Sequence, residues 1–259
     1  MIELENDLNF SNTGGSFLIY GKTDSGKTCS VSTCEDPILH MNTEAKDARL
    51  VINQIAHGKK IKYVRFESFD DQQTCLNQWL QDAKDGKFPA KTIMYDGLTF
   101  GQIDVKHAIE DDRAVVRKED KDWRGVIDSY RFERPDWGSM ASMMDRTTNL
   151  LVKFTAFGIT VICTALEDSN YPKWGQGLRI GPSLTGQDYS KRLAGYFHFI
   201  GYIVSPYVNS TPPTLPRVSF CTEDDGFGND YVARCSSNKL RSMGPAPLDF
   251  ARILKVIRS

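Results

Sequence analysis

The chain has 259 residues, is 40% hydrophobic, and sets 32 basic against 33 acidic residues for a formal charge of -1. That length accommodates a single large domain with a full core, and the near balance of charge excludes a global positive field, so any nucleic-acid surface must be local. No apolar stretch approaches the roughly 20 residues of a membrane span, the first residues lack the basic start and apolar centre of an export signal, and the six cysteines form no C-x-x-C pair, so a reducing, cytoplasmic setting without a membrane partner is expected.

The first element is the apolar run Phe17-Leu18-Ile19-Tyr20, a buried strand that leads into Gly21-Lys22-Thr23-Asp24-Ser25-Gly26-Lys27-Thr28. This octet fits G-x-x-x-x-G-K-[ST], the loop whose backbone N–H groups surround a phosphate while its lysine meets the outer phosphates and its final hydroxyl serves Mg²⁺. ATP and Mg²⁺ are therefore the expected ligands, with Lys27 as a catalytic cation and Thr28 as a metal residue. A short helix from Gly26 to Thr33 should follow, then a strand over Ile38-Leu39-His40-Met41-Asn42 and a helix from Ala45 to Ala56 closed by Gly58.

Ile61 to Phe66 alternates as a strand, whereas Leu76, Trp79, Leu80 and Ala83 recur at helical spacing until Asp85-Gly86. Thr92-Ile93-Met94-Tyr95 reads as another buried strand. The segment from Asp104 to Arg134 is dense in mixed charge and reads as an insertion outside the sheet. Met140, Met143, Met144, Leu151 and Phe154 mark a helix ending near Gly158, and Ile159 to Cys163 returns to strand. Strands alternating with helices predict one α/β domain with a mainly parallel sheet and helices on both faces. From Phe197 onward, strands at 197–204, 217–222 and 231–235 between Pro-rich and Asp-Gly turns predict an antiparallel extension, and Phe250, Ile253, Leu254 and Ile257 an amphipathic C-terminal helix.

Ligands of open parallel sheets lie at the carboxyl ends of the strands, and two carboxylates end strands there. Asp96 closes Thr92–Tyr95, where a P-loop enzyme holds its metal. Glu44 follows the strand ending at Asn42 and is placed to polarise the water that attacks a γ-phosphate. The loop from Asp168 to Gln187 interleaves Tyr171, Lys173, Trp174 and Arg179 with glycines, a composition suited to stacking bases and meeting phosphates of single-stranded DNA.

Met41-Asn42-Thr43-Glu44 resembles the strand-ending D-[AT]-E of RecA and Rad51-type recombinases, and Asp96 resembles their metal-site aspartate. A closer resemblance is to phage-encoded Sak4-like P-loop proteins, through Pro135-Asp136-Trp137-Gly138, Thr160 to Glu167, Leu193 to Phe197 and Tyr231 to Arg234. That resemblance covers most of the chain and implies a RecA-like P-loop ATPase in a phage-infected host cytoplasm, active in annealing or recombination. It implies single-stranded DNA, further copies of the chain and a single-strand-binding protein as partners. Thr164 stands nearest the position of the γ-phosphate-sensing glutamine of RecA-type enzymes, and Ser237-Asn238-Lys239-Leu240-Arg241 resembles the element with which a neighbouring subunit reaches the nucleotide, making Lys239 and Arg241 candidate contacts from a second copy. A nucleotide-switched assembly module with little turnover, or a small-molecule kinase, are the alternatives that the P-loop leaves open.

Overall fold

Strand β1 (Ser16–Gly21) is buried along its whole length and occupies the middle of the molecule. In the computed structural model, residues 14–119, 132–172, 178–185, 187–208, 210, 214–221 and 231–259 are described. Beside β1 the chain builds β2 (Ile38–Asn42), β3 (Ile61–Val64), β4 (Thr92–Asp96), β5 (Thr160–Pro172) and β7 (Phe199–Ser205), with β6 (Leu178–Pro182) hairpinned onto β5. β8 (Arg217–Ser219), β9 (Arg234–Cys235) and β10 (Ala246–Pro247) complete a sheet whose order is β10-β8-β7-β1-β5-β4-β2-β3, with β6 and β9 off that path.

The pairings from β7 through β1, β5, β4 and β2 to β3 are all parallel, whereas β8, β9 and β10 pair antiparallel. The expected antiparallel extension is therefore present but begins after β7, which belongs to the parallel core. Strand direction depends on which sheet edge the chain returns to, and helix α5 (Gln187–Tyr196) carries it back far enough for β7 to run alongside β1.

Alternate residues of each strand enter opposite layers. Leu18, Tyr20, Leu39, Met41, Ile93, Tyr95, Val161 and Cys163 face α2 (Phe69–Lys84), α3 (Leu98–Glu119), α4 (Arg134–Lys153) and α5. Phe17, Ile19, Ile38, Met94 and Ile162 face the other layer, built from a 3₁₀ turn at Thr28–Thr33, α1 (Arg49–Ile55), α6 (Asn238–Arg241) and α7 (Phe250–Arg258). The aromatic rings of Phe17 and Phe199 stack at 4.8 Å, and Phe250 closes edge-on against Phe17 at 5.3 Å.

Several local expectations shift at their ends. The turn after the P-loop is 3₁₀ and starts at Thr28, and α1 starts at Arg49 because Ala45 to Ala48 are held in a loop by the Asn42 side chain, which donates to the carbonyls of Glu44 at 3.2 Å and Lys46 at 2.8 Å. The charge-dense segment is, from residue 104 to 119, a continuation of α3. Leu98, Val105 and Ile109 form a buried stripe on that helix, so the charges mark its outer face rather than an insertion. Residues 120–131 lie outside the described part. Arg113 pairs through Nε with the buried Asp136 at 3.1 Å, tying α3 to the first turn of α4, where Glu133 and Asp136 form a capping box beside Pro135.

Candidate nucleotide site

The P-loop leaves β1 at the carboxyl edge of the sheet and bends where its sequence permits. Gly26 has φ +89, and a Cβ there would lie 2.4 Å from Cβ of Tyr207, whose own N–H donates to the Ser25 carbonyl at 3.1 Å. Only glycine allows this approach. Asp24 also sits in the left-handed region at φ 59, completing the turn. Lys27 is 7% exposed, and its ammonium donates to the carbonyls of Gly21 at 3.0 Å and Lys22 at 2.7 Å and to Ser25 Oγ at 3.4 Å. Burial pulls its pKa below the usual lysine value, opposed by the negative charges of Asp96, Glu44, Glu167 and Asp24.

Register brings the acidic partner to this loop. β5 lies between β1 and β4 and aligns Gly21 with Leu166 and Tyr95 with Cys163, so Asp96 emerges beside Thr164 and within reach of Thr28. Thr28 Oγ1 donates to Asp96 Oδ2 at 2.8 Å, Thr164 Oγ1 donates to Oδ1 at 2.6 Å, and His40 Nε2 lies 3.2 Å from Oδ2. His40, Asp96 and Thr164 share strand parity with Ile38, Met94 and Ile162, which makes them a polar row on one face of the sheet beneath the loop. Burial alone would raise the Asp96 pKa, but the donors His40, Thr164 and Thr28 together hold it below the usual carboxylate value.

Glu44 reaches the same place from β2. Thr43 Oγ1 donates to the carbonyls of Asp96 at 3.1 Å and Gly97 at 2.6 Å, and the Glu44 N–H donates to Asn42 Oδ1 at 3.2 Å. These bonds fix the loop against the tip of β4. Glu44 is half-buried, and burial, followed by the charge of Asp96, raises its pKa while Lys27 and Lys46 oppose the shift.

Lys27, Thr28 and Glu44 line one cavity of about 410 Å³, whose other walls include Ala48, Val51, Phe100, Leu166 and Tyr207. The donor set fits a magnesium triphosphate: a cation for the phosphates, a hydroxyl and a carboxylate oxygen for Mg²⁺, and an apolar wall for a base. Among the described residues no group of three His, Cys, Asp or Glu is placed to hold a metal. A second cavity of about 510 Å³ is lined by Pro37, Trp79, Phe88 and Pro89 together with Lys60, Lys62 and Asp82, and includes no part of the P-loop.

The remaining expected site residues are dispersed. Within Asp168 to Gln187, the described residues up to Pro172 and from Leu178 to Pro182 are paired strands rather than an open loop, because β5 continues to Pro172 and β6 pairs back on it, with Tyr171 opposite Arg179. Antiparallel pairing gives these backbone groups their partners. Lys173 and Trp174 lie outside the described residues, as does the side chain of Tyr171, while Arg179 is half-buried. Lys239 and Arg241 stand on α6, next to β9, which pairs with the start of β7 at the opposite edge of the sheet from the P-loop. Arg241 donates to the Cys235 carbonyl at 2.8 Å and Lys239 lies 3.5 Å from Ser259 Oγ, so neither enters the cavity of its own chain.

His40, Thr43 and Tyr207 complete the site without having been singled out from the sequence. His40 had one available signal, a polar residue in an otherwise apolar strand two positions before Asn42. Together, a P-loop on a central strand, an aspartate ending the next strand but one, and a mainly parallel sheet with helices on both faces define a P-loop α/β fold. No family model matches the chain, and no curated protein does. Among solved structures, it is similar to a KaiC-like protein from the hyperthermophilic archaeon Pyrococcus horikoshii OT3, at 14% identity over 80% of this chain and 78% of that one, with a TM-score of 0.37.

Proposed function

We propose that the chain is a Mg²⁺-dependent ATPase that assembles as a homo-oligomer on single-stranded DNA and promotes strand annealing or recombination. The observation that carries the ATPase reading is the 2.8 Å bond to the buried Asp96 from Thr28, which lines one cavity with Lys27 and Glu44. Lys27 binds the outer phosphates and offsets the charge that builds up on them as the terminal phosphoryl group is transferred. Thr28 and Asp96 would hold Mg²⁺, which supplies further charge neutralisation across those oxygens. Glu44 orients a water in line with the terminal phosphorus and accepts its proton. The half-buried setting that raises the Glu44 pKa makes it a stronger base than an exposed glutamate.

The DNA reading rests on continuity. The strand that places Thr164 on Asp96 runs on to Tyr171 and pairs there with the strand of Arg179, and in the sequence Lys173 and Trp174 fall between the two. Lys239 and Arg241, at the far edge of their own sheet, serve the cavity only from a neighbouring copy, and this makes turnover depend on assembly. The test is ATP hydrolysis by wild type and Lys27→Ala, with and without single-stranded oligonucleotide. Turnover that requires Lys27 and rises with DNA is expected. Wild-type turnover indifferent to DNA overturns the DNA-coupled reading, and tight nucleotide binding without turnover moves the chain to a nucleotide-switched module.

A further inference from the structure

His40 has no exposed surface, yet it stands in the middle of the strand layer with a hydrogen-bonding ring. Its Nε2 lies 3.2 Å from Asp96 Oδ2, the same oxygen that accepts the Thr28 hydroxyl, and its Nδ1 is buried with no hydrogen-bond partner. A carboxylate has no proton to donate, so the contact is favourable only with the ring hydrogen on Nε2. Parallel register explains the reach: His40 is level with Met94 and Asn42 with Asp96, so the ring projects one step along the strand toward the carboxylate. Edge-on packing against Tyr63, with ring centroids 5.7 Å apart, holds the imidazole on that side.

A buried polar ring with one orphan nitrogen is costly in an apolar layer, and a leucine would fill the volume without that penalty. The imidazole instead completes a three-donor clamp on one carboxylate, together with Thr164 and Thr28. We propose that His40 is a positioning residue: its Nε2–H fixes the Asp96 carboxylate, and through it the Thr28 hydroxyl, in the orientation that accepts a divalent cation bound with the triphosphate. This rests on the nucleotide-binding reading above and deepens it, because partners one step removed from a metal govern its affinity by orienting the groups that touch it.

The experiment is a titration of Mg²⁺ into mixtures of a fluorescent ATP analogue with wild type, His40→Leu, His40→Gln or His40→Asn, paired with the analogue's affinity in EDTA. Wild type that does not bind the analogue with Mg²⁺ sinks the nucleotide reading itself. If wild type binds, His40→Leu is expected to need about 10-fold to 100-fold more Mg²⁺ for the metal-dependent gain in affinity. Its affinity in EDTA should stay at the wild-type value. His40→Gln, whose amide nitrogen reaches nearly as far as Nε2, should recover most of the loss, and the shorter His40→Asn should not. An unchanged Mg²⁺ requirement in His40→Leu, or an equal loss with and without metal, overturns the proposal. If His40→Leu fails to fold, as judged by its melting curve, equal Mg²⁺ requirements in the Gln and Asn variants overturn it.

Discussion

Thr164 gives its only hydroxyl proton to Asp96 Oδ1, at 2.6 Å, across two neighbouring parallel strands. This is the shortest of the three bonds on that carboxylate, and both residues are about 1% exposed. Thr164→Val keeps the shape and removes the donor, leaving a buried carboxylate oxygen without it, so a stability loss of about 1 to 3 kcal/mol is expected. Thr164→Ser should lose much less. Urea denaturation of the two variants checks this, and a Val variant as stable as wild type beside a destabilised Ser variant would show that the methyl group, not the hydroxyl, matters.

Glu44 lines the same cavity as the P-loop, and its chain is pinned through Thr43 to the tip of β4. Glu44→Gln preserves volume and the neighbouring backbone bonds, so turnover should fall by about 10²-fold or more while ATP affinity changes little. Steady-state hydrolysis beside equilibrium nucleotide binding separates the two effects. An unchanged turnover would remove Glu44 from the chemistry.

The pH profile follows from the same residue. Burial and the Asp96 charge raise the Glu44 pKa against the pull of Lys27 and Lys46, and a base acts only when ionised. Lowering the pH through that raised value therefore protonates Glu44 and removes activity, at a higher pH than for an exposed glutamate. The acid limb of kcat/KM should reflect this, and Glu44→Gln should flatten it. A limb that persists unaltered in the variant would belong to another group.

Gly26 meets Tyr207 at a distance no side chain tolerates, and its φ of +89 disfavours any L-residue. Gly26→Ala should weaken nucleotide binding and destabilise the fold by about 1 to 3 kcal/mol. Adding Tyr207→Gly relieves the clash but not the backbone strain, so the double variant should recover only part of the stability. Full recovery in thermal melts would assign the whole effect to the clash.

Gln102, 4% exposed, bonds twice to the backbone of Thr185, from Nε2 to its carbonyl at 2.7 Å and from its N–H to Oε1 at 2.6 Å. Gln102→Leu breaks both bonds and should loosen the return leg of the ribbon. Limited proteolysis should then cut within residues 167–185 faster than in wild type, while the core digests at the same rate. Identical cleavage would mean that the pairing of β5 with β6 suffices.

The P-loop was legible because its chemistry is local, eight consecutive residues after a strand, and Asp96 because it ends an unmistakably apolar run. Glu44 was legible on the same principle of strand tips. What was hidden depended on register or long range. His40 acquires its role only once β2 and β4 are paired, and Tyr207 reaches Gly26 from just past the end of β7. The direction of β7 and the pairing of β6 with β5 stay hidden for a similar reason: Pro and Gly signals show where a strand stops, not which neighbour it joins. In α3, dense charge on one face masked the Leu98, Val105 and Ile109 stripe on the other.

The Thr99 hydroxyl donates to the Ser183 carbonyl at 2.9 Å and accepts the Leu166 N–H at 3.0 Å, so both legs of the ribbon are fastened to the first turn of α3. That turn starts directly after Gly97, whose φ of +120 and close packing under Thr43 and Glu44 leave no room for a side chain. Through one hydroxyl, the two legs of the ribbon and the start of α3 share an anchor three residues after Asp96, so a change at Thr99 reaches both strands at once.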